Sequence, residues 1–246
     1  MTPEFLPLGD CGVRMEFGSE IRPAIHARIC RFGAALDAAP IRGVTEWVCG
    51  YAVVTVYYRP WMISYEDLCT ALRQRLRPPS ESEPADVERV IEIPVCYGGS
   101  FGPDLEEVAA RRGLTAGQVT RRHSRPRYRV YFLGFLPGFA YLGGLPRSLE
   151  TPRRSTPRLS VPAGAVGIAG SQTGVYPRET PGGWQIIGQT PLRLYDPRRE
   201  VPALLSAGDR VKFVPIDAGR YRELEKMELE KMEPERTEQE KTDAPG

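Results

Sequence analysis

Most of the side chains able to do chemistry fall between residues 123 and 173. His123 stands at the end of a helix-like segment, just before Ser124 and the Arg125–Pro126 break. An imidazole that titrates near neutral pH suits general acid–base work; a buried structural histidine is the competing reading. Arg153, Arg154 and Arg158 lie within a six-residue span. Guanidinium forks pair with carboxylates or phosphates, and they serve equally as a solvated rim or an interface patch. Gly164, Gly167, Gly170 and Gly174 follow. Such glycines let backbone approach a ligand and expose amide N–H groups to an anion. Ser171, Gln172 and Thr173, set among them, could hydrogen-bond an amide; a set of barrel turns is the alternative. Between His123 and the arginines runs an aromatic stretch, Tyr131 to Pro146, broken by glycine and proline. Its Phe135, Phe139 and Tyr141 either wall a pocket or plug the end of a barrel.

The remaining candidates point inward. His26 sits between Ile25 and Ala27 in a helical pattern and reads as structural. Cys11, Cys30, Cys49, Cys69 and Cys96 are widely spaced and odd in number, which predicts reduced, packed thiols rather than disulfides or zinc. Of four lysines only Lys212 lies in the body of the chain, and no Gly-x-x-x-x-Gly-Lys-Ser/Thr loop precedes it. Paired carboxylates, a Gly-x-Ser-x-Gly elbow and metal-ligand spacing are absent from the sequence.

These residues need elements to position them. Val13, Met15 and Phe17 alternate as in a strand; Ile25, Ile29, Phe32 and Leu36 recur at helical spacing behind Pro23. Val44–Cys49 and Tyr51–Tyr58 are β-rich, and Ser64 with Asp67 caps a helix carrying Leu68, Leu72 and Leu76. The order β-α-β-β-α predicts a ferredoxin-like unit if a further strand follows. Arg77–Asp86 is polar and proline-rich, a linker. Val87–Cys96 reads as a strand that either closes the first unit or opens the second. Thr115 and Gln118 cap a helix running to His123, and Tyr128–Phe132 alternates as a strand. From Leu133 to Pro191 short apolar runs are cut by Gly and Pro, the texture of a β-barrel or sandwich, with Arg193–Tyr195 and Arg210–Val214 as closing strands. The expected organisation is 1–86, 87–221 and a charged tail, 222–246. The tail holds nine acidic and five basic residues and reads as solvated.

Composition narrows the class of function. At 246 residues the chain has ample material for a buried core, and a net charge of +2 demands neither nucleic acid nor an anionic membrane. No signal peptide is visible at the start, and no apolar run is long enough to span a bilayer. A cytoplasmic protein is the expectation.

Several motifs are familiar in combination. Leu6–Asp10, Gly134–Leu142, Thr151–Arg153, Val161–Gly164, Gly167–Gly170, Pro181–Trp184 and Gly188–Pro191 resemble the family of 5-oxoprolinase B subunits, also called allophanate hydrolase subunit 1, which includes the Kip-type inhibitors of a histidine kinase. The likeness runs from about Pro7 to Pro215. It implies an α+β fold, with a ferredoxin-like N-terminal domain and a cyclophilin-like β-barrel. It implies a partner, the C component (allophanate hydrolase subunit 2), and with the A component an ATP-dependent hydrolase that opens 5-oxo-L-proline to L-glutamate. Inhibition of a sensor histidine kinase and carboxyl transfer to a urea-like amide are the other activities the resemblance allows. Opening a five-membered lactam needs a carboxylate clamp, donors that recognise the amide and a proton carrier. On that chemistry Arg153 or Arg158 supply the clamp, Gln172 with the backbone near Gly170 recognises the amide, His123 carries the proton, and Tyr141 and Ser171 line the substrate. ATP is expected with or on a partner protein, and no metal motif is seen.

Overall fold

The computed structural model describes residues 2–20, 22–76 and 89–231. The first unit is a layer of four antiparallel strands: β1 (Glu4–Leu8), β2 (Gly12–Glu16), β3 (Val44–Cys49) and β4 (Val53–Tyr58), in the order β1-β2-β4-β3. Helices α1 (Pro23–Ala38) and α2 (Tyr65–Gln74) supply its apolar cover. The period-2 face of the sheet (Val13, Met15, Val54, Val56) meets Ile29, Phe32 and Leu36 of α1 and Leu68 and Leu72 of α2. Ser64 caps α2 as its spacing predicts, accepting from the Asp67 amide at 3.1 Å. Gly33 is demanded by packing: a Cβ there would lie 2.3 Å from the Trp47 ring.

The order of that sheet differs from the βαββαβ expectation. The position beside β2 is filled by β1, from the N-terminus, and not by a strand following α2. Val87–Cys96, compatible on pattern with either unit, becomes β5 (Val90–Tyr97) of the second. The proposed linker at 77–86 lies outside the described residues.

The second unit is a closed barrel, in the order β10-β7-β6-β13-β5-β12-β9. Its strands are β5, β6 (Tyr128–Leu133), β7 (Ala140–Gly143), β9 (Ala165–Ala169), β10 (Gln172–Val175), β12 (Gln185–Gln189) and β13 (Arg210–Ile216). A two-stranded ribbon, β8 (Arg158–Val161) with β11 (Thr180–Gly182), flanks it. Closure comes from β13, which runs parallel to β5 from Arg210 opposite Val90 to Ile216 opposite Cys96. Arg193–Tyr195 does not form a strand; Tyr195 makes only a single bridge to Ala203. Helices α3 (Leu105–Arg111) and α4 (Ala116–Ser124) add Leu105, Val108, Ala109 and Val119 to the barrel core. The capping box on α4 forms in full, with Thr115 and Gln118 exchanging side-chain and backbone bonds.

The charged C-terminal run begins as a helix whose residues 222–230 are mostly exposed. Residues 222–230 continue α5 (Ala218–Glu230), started by Asp217, whose carboxylate accepts from the Arg220 amide. The helix is seated by buried Tyr221, whose ring lies 4.5 Å from Phe101. Residues 232–246 of the expected tail lie outside the described residues.

Where β5 leaves β12, the loop at 98–104 takes over its ladder: the Gly98 amide donates to Ile187 and the Asp104 amide to Ile186. Gly102 allows this approach, since a Cβ there would sit 2.1 Å from the Ile187 carbonyl oxygen. Gly102→Ala should therefore push the loop off β12 and destabilise the chain by on the order of 3 kcal/mol, read from the urea midpoint at unchanged m-value.

Candidate functional site

Two groups of polar side chains meet on the aromatic stretch of the barrel. The first is built on Asp104, the N-cap of α3. This carboxylate is nearly fully buried, yet it is triply engaged. Oδ1 accepts from Arg158 at 2.6 Å and from Arg154 at 3.0 Å, and Oδ2 accepts from the Ile186 amide at 2.6 Å. Two sequence segments converge here. The Arg154 amide donates to Gly183, and Gly182 pairs with Arg158 across the ribbon. Arg153 is exposed beside them. Behind the arginines, Phe139 makes edge contacts with Tyr141, Tyr176 and Trp184 at 5.0, 5.7 and 5.6 Å. Burial pushes the Tyr176 hydroxyl up, while a backbone bond to Trp184 and then Arg153 and Arg158 pull the other way.

The second group lies where the two units touch. Tyr51, in the turn between β3 and β4, packs its ring on Tyr131 (5.2 Å), Phe132 (4.9 Å) and Tyr141 (6.1 Å) of the barrel. Its hydroxyl accepts from Gln172 Nε2 at 3.0 Å. On α1, His26 Nε2 donates to the Tyr131 carbonyl at 2.8 Å. Gln172 opens β10 immediately after the Gly170–Ser171 turn, and Ser171 is exposed at that turn. Nearby, Phe135 sits at φ +69 with the Leu136 amide bonded back to Gly134, a γ-turn that leaves the ring largely exposed.

His123 stands apart from both. It is completely buried, stacked 4.6 Å from Phe213. Thr173 donates its hydroxyl proton to Gly167, so Thr173 Oγ1 accepts from His123 Nε2, while Nδ1 accepts from the Tyr97 hydroxyl at 2.8 Å. A neutral imidazole satisfies every partner. Burial lowers its pKa from 6.5 to about 3. Thus Tyr51 joins Gln172 and Tyr141, Arg153 and Arg158 lie close enough to Tyr176 to act on its hydroxyl, Ser171 is exposed beside Gln172 in the chain, and His123 lies inside the barrel bonded to neither group. The proton-carrier role expected of His123 has no geometric support: its ring is sealed and its two nitrogens serve the core.

Asp104 and Tyr51 were not singled out on sequence. Asp104 reads as the first residue of a short helix, Asp104–Arg112, and Tyr51 as a strand residue; only the fold brings them to the site. The ammonium of Lys212 is spent on the carbonyls of Ser124 and Arg125. Among the described residues no cluster of three or more His, Cys, Asp or Glu could hold a metal ion. No described helix is long and apolar enough to cross a membrane.

Residues 3–205 match the family of the carboxyltransferase domain, subdomain C and D. The B subunit of 5-oxoprolinase from Bacillus subtilis (strain 168) is 44% identical over 228 residues, 87% of this chain and 93% of that one. The protein of the same name from Escherichia coli O157:H7 is 50% identical over 214 residues, 86% of this chain and 95% of its own. The chain belongs to the family of 5-oxoprolinase B subunits. The solved structure of TTHA0988 superposes with a TM-score of 0.74 at 40% identity, covering 84% of this chain but only 40% of that one. The Kluyveromyces lactis urea amidolyase shares the fold (TM-score 0.70, 20% identity) over 89% of this chain and 15% of its own. In this 5-oxoprolinase B-type protein, then, Arg154, which directly follows the 151–153 motif, bonds Asp104 by its side chain and Gly183 of the 181–184 motif by its amide.

Two measurable consequences follow from the buried groups. Asp104→Ala would leave Arg154 with only the longer 3.9 Å approach to Glu107 and Arg158 without its anion. Their side chains are 32% and 26% exposed, so the loss should be roughly 2–3 kcal/mol by urea unfolding, less than for a fully buried pair. Both histidines titrate lower in the folded chain because burial disfavours imidazolium. Between pH 6.5 and about 3 the unfolded chain binds a proton that folded His123 refuses. Stability is therefore full above that window and falls as pH drops through it, by roughly 1.4 kcal/mol per pH unit for each fully excluded proton. Urea midpoints from about pH 7.5 to 5, above most carboxylate titration, should show this slope, and His123→Gln should flatten it.

Proposed function

We propose that this chain is one component of an ATP-dependent 5-oxoprolinase that opens 5-oxo-L-proline to L-glutamate, working with the A and C components in the cytoplasm. The observation that carries this reading is full-length correspondence: two proteins named as 5-oxoprolinase B subunits match at 44% and 50% identity over 93% and 95% of their own lengths. That the same fold is a fraction of the longer TTHA0988 and urea amidolyase chains supports a unit built to work beside other domains. In this reading the first unit is a ferredoxin-like domain whose fourth strand is supplied from the N-terminus. The second is a cyclophilin-like barrel beginning after the 77–86 linker.

The lactam is a poor electrophile, and ATP supplies the driving force by converting the amide oxygen into a leaving group. With Lys212 committed to backbone carbonyls, the nucleotide belongs on a partner. This chain's share is recognition and positioning. Exposed Arg153 pairs with the substrate carboxylate. Arg158, held by Asp104, supplies a fixed positive field behind it. Gln172 and Ser171 bond the amide, and the Tyr141 ring forms an apolar wall. His123 holds β10 in place through Thr173 and so sets the register of Gln172.

Co-expression of this chain with candidate A and C components, followed by ATP-dependent glutamate release from 5-oxoproline, tests the reading. Release should need all three chains. Arg153→Ala should raise KM by about tenfold or more with a smaller change in kcat. Turnover by this chain alone, or none with all three, would overturn the assignment.

A further inference from the structure

Gln172 and Tyr51 make one hydrogen bond to each other and, among the described residues, no other side-chain bond. That bond fixes both groups. One N–H of Gln172 Nε2 goes to Tyr51, which fixes the plane of the amide, and the Gln172 carbonyl oxygen keeps its capacity to accept. The Tyr51 hydroxyl, having accepted, still has its proton to give. Burial holds that hydroxyl well above its usual pKa, so it stays a donor near neutral pH. The pair therefore presents an acceptor beside a donor, one from each structural unit. The rings of Phe132 and Tyr141, stacked at 4.4 Å, lie against Tyr51 as an apolar wall.

We propose that Tyr51 and Gln172 together bind the edge of a cyclic amide, with Gln172 Oε1 accepting the ring N–H and the Tyr51 hydroxyl donating to the ring carbonyl. A trans amide, as in a peptide, carries N–H and C=O on opposite edges. A five-membered lactam is locked cis and carries both on one edge, which is the pattern this pair complements. The site is thereby selective for small lactams over open-chain secondary amides, and it exists only while the β3–β4 turn is docked on the barrel. The inference rests on the lactam-opening reading given above and names the atoms that carry it.

The test uses the assembled three-component enzyme, with 5-oxoproline and its lactone analogue, in which oxygen replaces the ring N–H, as competing ligands. Wild-type enzyme should favour lactam over lactone by at least roughly tenfold, since the lactone sets a lone pair against Gln172 Oε1. Gln172→Leu should erase that preference. Tyr51→Phe, which keeps the ring contacts, should weaken lactam and lactone alike by about tenfold and leave the preference intact. A Tyr51→Phe enzyme that binds both ligands as wild type does, or a Gln172→Leu enzyme that still prefers the lactam, overturns the proposal. Wild-type assembly without any lactam binding would instead sink the parent reading. Thermal melting of each variant complex at the wild-type temperature confirms that recognition, not folding, has changed.

Discussion

The barrel stands on the pairing of β5 with β13. These strands are separated by more than a hundred residues, and their parallel ladder runs the whole length from Val90 with Arg210 to Cys96 with Ile216. A parallel pair cannot be made by a hairpin, so everything between must be laid out to bring the ends together. Arg89 secures the start: it grips Asp209 through Nε and Nη2, and its carbonyl accepts from the Arg210 amide. From the closed ring follow the sealed interior that keeps His123 neutral, the α4 end anchored by Lys212, and the outer face on which the arginines and Gln172 are displayed.

Inside that ring, polarity is rationed. Tyr97, His123, Thr173 and Gly167 form one chain of hydrogen bonds that links β5, α4, β10 and β9, and each member has its partner. A satisfied buried network of this kind costs little and pins the strands in one register. The outer face uses polarity differently. Asp104 draws two guanidiniums and a backbone amide to a single carboxylate, so the positive charge of that face is held in a fixed position before any ligand arrives.

Much of this was legible in the chain itself, and the boundary of legibility has a physical cause. Local rules sufficed for α2 and α4, where Ser64 and Thr115 announce their caps, and for the strands whose residues alternate. The Gly- and Pro-cut texture after Leu133 pointed to a barrel or a sandwich, and the closed ring is the first of these. What local pattern could not supply was pairing at a distance. The partner of β5, the use of β1 as the fourth strand, and the meeting of Tyr51 with Gln172 are all set by tertiary contact. The histidine shows the same limit from the other side. Residue type suggested a proton carrier at His123, but only packing reveals that both ring nitrogens are taken. The family likeness identified the motif segments; it did not reveal that Asp104 gathers Arg154, Arg158 and the Ile186 amide just beyond them.

The position of β1 has a consequence for how the chain is made. Because the sheet is completed by an N-terminal hairpin, every strand and helix of the first unit has been synthesised by about residue 76. That half can fold while synthesis continues. The barrel must wait for β13, its last strand, so its first strand emerges unpaired and stays so for most of translation. A finished layer bearing Tyr51 and His26 is then already present when β6 appears, a template against which the aromatic strand can settle before the ring closes.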